Sequence, residues 1–365
     1  MTQSLSRTSL YETHTSLNAR MVPFAGWDMP VQYAGILAET RAVRSRAGLF
    51  DVSHMGRLDI RGPRAGPFLD WIVSANASDL RQSRARYAMI CNDEGGIIDD
   101  TVFYRRGEDR YLLVCNASNR QYVVPWLLRW AEERFPDTTI EDNTEATAMI
   151  ALQGPATPEM LGRLCDIDPS GIRAFSAAQG TVASVPAFIG RTGYTGEDGF
   201  ELIVAAPDAP HIWQTLMGEG AVPCGLGARD MLRLEAALPL HGNDIDTTTT
   251  PLEAGLERFV RLDKEFVGAD ALRRERDGGS KRRLVGLQVR GRSIAREGYP
   301  ILAQNTPAGE VTSGTYSPTL DRNIAMGYVT VEFAEQGQEL QVDIRGRLVE
   351  AAVVPLPFYS REVVR

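Results

Sequence analysis

The stretches LDIRGPRAGPFLDWI at residues 58–72 and IALQGPATPEMLGRL at residues 150–164 decide the fold. Both read as a strand, a Gly-Pro break and an amphipathic helix, and they lie 92 residues apart. In each, proline sits where a strand stops and a helix can begin, because it fixes φ and cannot donate to a ladder. The parallel continues downstream. A strand ending at Val114 leads to a helix holding Trp126, and a strand ending at Val204 leads to a helix holding Trp213, at an offset of 87. Two similar offsets over one order of elements predict a duplicated strand-helix-strand-strand-helix unit, and so an α+β body of two related lobes. Past residue 275 helical periodicity gives way to strand-like runs at RLVGLQVRG, EVTSGTYS, AMGYVTVEF, LQVDIRG and LVEAAVVP, separated by Gly, Asn and Pro. They predict a small β-barrel or sandwich domain over 276–365. The Arg-rich RRERDGGSKRR at 273–283 is expected as a solvated linker.

Composition narrows the chemistry. The 365 residues are 43% hydrophobic, enough for a large core in two or three packed units. The net charge of -8 disfavours an extended polyanion such as nucleic acid as a partner. Lys264 and Lys281 are the only lysines, both in polar contexts, so a Schiff-base enzyme that uses pyridoxal phosphate is not expected. Cys91, Cys115, Cys165 and Cys224 are widely separated and form no CxxC pair, which points to free thiols in a reducing compartment. His14, His54, His211 and His241 show no ligand spacing, so no metal is expected. The N-terminal residues carry no apolar leader, and no run reaches the roughly 20 apolar residues that cross a bilayer. A cytoplasmic location without membrane contact follows as the expectation.

Three segments could carry the chemistry. NDEGGIIDDTVFYR at 92–105 predicts a Gly-Gly turn and then a strand, with Ile97, Asp99, Thr101 and Phe103 on one face and Ile98, Asp100, Val102 and Tyr104 on the other. Both faces are mainly apolar, so at least one carboxylate is partly buried and needs hydrogen-bond partners or a chemical use. The two aspartates point to opposite sides and cannot share a proton. RTGYTGEDGFELIV at 191–204 spaces Gly193, Gly196 and Gly199 three apart before a strand; no helix follows, so it is not a dinucleotide fingerprint. Glu201 in that strand shares a face with Ile203 and wants a cation or an N–H. CGLGARDMLRLEAAL at 224–238 begins a helix after two glycines, with Arg229 near its start and Arg233 one turn on. A cation there opposes the helix dipole unless it meets Glu201, an acidic ligand or a structural carboxylate.

With these residues in view the chain resembles the glycine cleavage system T-protein family, the aminomethyltransferases. FAGWDMPVQY from Phe24, AGLFDVSHMG from Ala47, CNDEGGIIDD from Cys91, ALQGP from Ala151, RTGYTGEDGFE from Arg191, GLGARDMLRLEA from Gly225 and TSGTYSPTL from Thr312 carry the likeness in order, from about Leu10 to Tyr359. The resemblance implies a three-lobed fold: two related α/β lobes around a folate cavity, interleaved as about 51–140 and about 1–50 with 141–275, followed by the C-terminal barrel. It also implies transfer of the methylene carbon of an aminomethyl-dihydrolipoyl carrier to tetrahydrofolate, releasing ammonia and forming 5,10-methylenetetrahydrofolate.

By the same resemblance Asp100 matches the essential carboxylate, and Tyr87, Asn116, Glu201, Arg229 and Tyr359 match folate contacts. Tetrahydrofolate is then a co-substrate, and the lipoylated H-protein a transient partner. The chain departs from the family where Leu238 replaces an aromatic and LHGN, with His241, replaces LYGQ; a last contact could be Arg365. Two alternatives share the folate site: a tetrahydrofolate-dependent demethylase of a small amine or sulfonium, and a folate-binding protein assisting tRNA modification or iron-sulfur assembly.

Overall fold

The computed structural model describes residues 4–361. From the N-terminus, α1 (Tyr11–Ser16), the hairpin β1 (Arg20–Phe24) and β2 (Trp27–Gln32), α2 (Ile36–Ser45) and β3 (Gly48–Asp51) lead into the first copy of the repeat. That copy is β4 (Gly56–Arg61), α3 (Ala65–Ile72), β5 (Ala85–Cys91), β6 (Ile97–Gly107), β7 (Arg110–Cys115), α4 (Arg120–Arg134) and β8 (Thr139–Asp142). The second is β9 (Thr147–Gln153), α5 (Thr157–Gly162), β10 (Ala177–Val182), β11 (Val185–Gly190), β12 (Gly199–Ala205), α6 (Ala209–Gly218) and β13 (Val222–Pro223). After these come α7 (Leu226–Glu235), α8 (Ala269–Gly278) and six strands, β14 (Arg282–Val289), β15 (Pro300–Ala303), β16 (Thr306–Ser317), β17 (Arg322–Thr330), β18 (Glu339–Ile344) and β19 (Arg347–Val354).

The duplication is visible in the sheets, with three strands between the helices of each copy where two were expected. One has the order β5-β6-β7-β4-β8 and the other β10-β11-β12-β9-β3-β13, so the first four positions correspond strand for strand. The fifth position differs: β8 pairs with β4 of its own copy, while β3, which precedes the first copy, pairs with β9 of the second and separates it from β13. Beside the sheets the two copies meet as equivalents. The Ala85 N–H donates to the Phe175 carbonyl at 2.9 Å and the Ala177 N–H to the Ser83 carbonyl at 2.8 Å. Ser83 and Phe175 both adopt left-handed backbone, with φ of 65° and 53°, a costly conformation that closes this reciprocal pair.

The chain groups into two compact units. The first takes residues up to Ala88 with Asp100–Arg229, and the second takes Met89–Asp99 with the chain from Asp230 on. In the first unit Leu49, Ile150, Leu152, Ile189, Phe200, Leu202 and Trp213 fill one core, with apolar side chains alternating inward along each strand. In the second unit the barrel closes in the order β14-β17-β16-β15-β18-β19 around Val285, Leu287, Ile301, Val311, Val329 and Val342. The alternatives of barrel and sandwich resolve to the barrel.

Three local expectations change. The expected linker is mostly helix α8, which buries Ala269 and Leu272 and leaves its charged face in water. Strand β15 is short and begins with a proline, a weak pattern that hid it. Helix α7 starts between the two glycines of CGLG, not after them. Among the described residues no helix is long and apolar enough to cross a membrane.

Candidate active site

The Gly-Gly turn forms as the sequence requires. Asn92 Oδ1 accepts from the Glu94 and Gly96 N–H groups, and Gly95 takes a φ of 85°, open to glycine without strain. Strand β6 then alternates as expected: Asp99 is fully buried, while Asp100 on the other face keeps accessible surface. Asp100 is gripped at both oxygens. Tyr87 donates its hydroxyl to Oδ2 at 2.9 Å, and Asn116 donates Nδ2 to Oδ1 at 2.8 Å and to the Asp100 carbonyl at 3.1 Å. These donors come from β5 and from the end of β7, the two neighbours of β6 in the sheet. Sheet order therefore brings together three residues that the sequence separates.

The glycine-rich loop before β12 is a packing device. A side chain at Gly193 or Gly199 would strike the buried amide of Gln153, which donates to the Thr192 carbonyl at 3.1 Å and accepts from the Thr195 hydroxyl at 2.8 Å. Arg191 pairs with Asp198 at 2.5 Å, and Arg44 pairs with Glu197 at 2.9 Å, so the loop is pinned from both ends. The loop presents Thr192, whose hydroxyl donates to Glu201 Oε2 at 2.5 Å. Burial pushes the Glu201 carboxyl above the ordinary glutamate range, and the Thr192 hydrogen bond and the Arg229 charge act against it.

Helix α7 is set by its first residues. Glu39, fully buried, accepts from the Gly225 N–H at 2.9 Å and from the Tyr33 and Gly35 N–H groups at 2.6 and 3.0 Å. A Cβ at Gly225 would fall 2.3 Å from the Val31 carbonyl, so glycine is needed for this approach. One turn on, the Arg229 guanidinium lies 4.6 Å from the centre of the Tyr194 ring, a cation–π contact. Burial draws Arg229 below the usual arginine range, while Tyr194, Glu201 and Asp100 pull it back up. The expected meeting of Arg229 with Glu201 is thus an electrostatic one, and Asp100 shares in it.

Four of the five candidate contacts surround Asp100 or act on its charged neighbours in the first unit. Tyr359 belongs to the second unit, where its N–H donates to the Glu235 carbonyl at 2.8 Å. In that unit His241 Nε2 donates to the Ile97 carbonyl at 3.0 Å. Arg365 lies outside the described residues.

Residue typing alone passed over Tyr104, Thr192, Tyr194 and His54. Tyr104 sits on the Asp100 face of β6, so the period of two held the signal; Thr192 and Tyr194 were hidden among the glycines. His54 is 2% exposed, packs edge-on against Phe24 and leaves Nδ1 without a hydrogen-bond partner. Burial first, and then the Arg229 and Arg57 charges, push it down to about 3 against the pull of Asp51, so the ring is neutral. Two open clefts of the first unit, about 430 and 590 Å³, lie elsewhere; the larger is lined by Arg81, Arg84, Arg86 and Arg173. Neither includes Asp100, Glu201 or Arg229, and the candidate site rests on converging hydrogen bonds and charge.

A family profile described as the GCVT N-terminal domain matches residues 10–264, and one described as the glycine cleavage T-protein C-terminal barrel domain matches residues 282–360. An aminomethyltransferase of Geobacillus thermodenitrificans is 46% identical over 364 residues, covering 98% of this chain and 99% of the relative. One of Streptomyces coelicolor is 47% identical over 368 residues, covering 98% of each. The crystal structure of glycine cleavage system aminomethyltransferase T from Bartonella henselae superposes with a TM-score of 0.92 at 36% identity, over 98% of both chains. With both profiles matched in order and near-half identity along almost its full length, the chain belongs to the glycine cleavage T-protein family of aminomethyltransferases.

Proposed function

We propose that Asp100 is the carboxylate that manages charge and protons while the methylene of an aminomethyl group, carried on the dihydrolipoyl arm of the H-protein, passes to tetrahydrofolate. In this reading Tyr87, Asn116, Glu201, Arg229 and Tyr359 contact the folate. The balance requires S–C and C–N cleavage and loss of hydrogen from N5 and N10. Both nitrogens bond to the methylene, and the carrier thiol and ammonia take up the hydrogens. Such a reaction asks the protein for placement and for a fixed negative charge near developing positive charge.

The observation that supports this most is the grip on Asp100. Donors to both of its oxygens leave the carboxylate no freedom to rotate, so its charge is preorganised. Glu201 fits a pterin for a second reason: Oε2 is taken by Thr192, whereas Oε1 accepts no hydrogen bond among the described residues and is left able to accept one from a ligand N–H. Nothing in this donor set requires a metal or pyridoxal phosphate. We take residues 1–275 as the folate-binding region, 276–365 as the barrel domain, and the cytoplasm as the setting. The test is formation of methylenetetrahydrofolate and ammonia from glycine when the purified protein completes the other cleavage-system components. Turnover with free methylated amines or sulfonium compounds, and none with the lipoyl-bound aminomethyl group, would replace this reading with a demethylase.

A further inference from the structure

Glu201 is the end of a buried hydrogen-bond chain whose direction can be assigned. Thr192 Oγ1 lies 2.5 Å from Glu201 Oε2 and 2.5 Å from the Tyr104 hydroxyl. A threonine hydroxyl has one hydrogen. The hydroxyl spends it on the carboxylate, so it must accept from Tyr104. Tyr104 is 2% exposed and Thr192 8%, so water does not compete for either hydroxyl. Burial, with the Glu201 charge behind it, pushes the Tyr104 phenol well above its ordinary range, which keeps it a donor.

The backbone has made room for this chain. Gly190 is paired with Glu201 across β11 and β12, and a Cβ at Gly190 would fall 2.7 Å from the Tyr104 hydroxyl. Tyr104 therefore crosses from the sheet of the first copy through a slot that a side chain would close. Phe188, two residues before that glycine, meets the Tyr104 ring edge to face at 5.1 Å and fixes it.

We propose that Tyr104 and Thr192 are positioning residues, a one-way relay that orients Glu201 and occupies its Oε2 so that Oε1 alone is presented to the pterin. The relay rests on the reading of Glu201 as the folate carboxylate. It also favours the charged form of Glu201, because the Thr192 hydrogen bond opposes the effect of burial. Losing that donor raises the Glu201 pKa further, so the pH below which tetrahydrofolate binding fails moves upward.

The experiment measures kcat and KM for tetrahydrofolate against pH in the complete cleavage assay, for the parent protein, Thr192→Ser, Thr192→Val, Tyr104→Phe and Glu201→Gln. Thr192→Ser keeps the hydroxyl and should behave as the parent. Thr192→Val keeps the shape and should raise KM about tenfold with little change in kcat, and shift the acid limb to higher pH. Tyr104→Phe should move both in the same direction by less. If Thr192→Val melts early, Tyr104→Phe and Thr192→Ser still decide the matter. A parent-like KM and pH limb in both Thr192→Val and Tyr104→Phe, with Glu201→Gln impaired, overturns the relay alone. Parent-like folate affinity in Glu201→Gln overturns the reading beneath it.

Discussion

Tyr87 donates its hydroxyl to Asp100 from a neighbouring strand, 2.9 Å from Oδ2, while Asp99, one residue earlier in the same strand, is wholly buried on the opposite face. Two adjacent carboxylates thus meet different surroundings. Asp100→Asn keeps the shape but loses the charge, and should lower kcat about a thousandfold with tetrahydrofolate binding still measurable. Asp99→Asn should act mainly on stability. Steady-state kinetics with a thermal melt of each variant decides this, and a fast Asp100→Asn beside a folded but inactive Asp99→Asn would reverse the assignment.

Glu201→Gln should weaken tetrahydrofolate binding about tenfold, since an amide presents an N–H where a carboxylate can only accept. The change should appear in titrations of the purified protein with tetrahydrofolate, while the unfolding midpoint stays near the parent value.

Asp51 gives an acid limit to stability. It accepts from Thr8 at 2.7 Å, from the Ser53 N–H at 2.9 Å and from His14 Nε2 at 2.9 Å, and the Tyr33 hydroxyl meets His14 Nδ1 at 2.9 Å. Burial alone would raise its pKa, but these partners, His14 foremost, hold it from 3.8 down to about 2. A depressed carboxylate contributes fully above its unfolded pKa and loses that contribution as pH falls from about 4 through about 2. The contribution is about 2 kcal/mol. Denaturant unfolding at pH 7 and pH 3 should show the parent losing stability on acidification and Asp51→Asn losing less; equal losses in the two would refute the assignment.

Within the second unit, Arg233 donates to Asp244 at 2.6 Å with both side chains almost fully buried. Asp244 also accepts from the Leu240 N–H and from the hydroxyls of Thr312 and Ser313, so it ties the end of α7 to β16. Asp244→Asn should cost about 3 kcal/mol, because the buried guanidinium loses its buried carboxylate and keeps only the half-exposed Asp230. An unchanged unfolding midpoint would remove this role.

An acidic carrier should dock through a local cationic patch, since this chain is itself net acidic. In 273–283, Arg273, Arg276 and Arg282 are already paired with Glu265, Asp277 and Glu253, whereas Arg274, Lys281 and Arg283 make no ion pair within the described residues. Replacing those three by Gln should raise the KM for H-protein and flatten its salt dependence, with tetrahydrofolate binding unaffected. The same exchange at Arg81 and Arg173 serves as the comparison. A KM indifferent to salt would show that charge does not guide the carrier.

Local pattern was enough for the existence of the repeat, though it gave one strand too few per copy, and for the Gly-Gly turn, the two faces of β6 and the strand that carries Glu201, because each depends on periodicity or on a backbone angle that few residues allow. The motifs also placed the chain in its family and pointed to Asp100. Tertiary structure decided the rest. Tyr87 and Asn116 reach Asp100 only because β5 and β7 flank β6, and the insertion of β3 between β9 and β13 leaves no trace in a linear pattern. Helix α8 read as linker because its apolar side is just Ala269 and Leu272. The relay from Tyr104 to Glu201 was the least legible, since its geometry depends on a side chain that Gly190 lacks. An empty slot is a property of neighbours in space, and it exists only once two strands distant in sequence have been laid against each other.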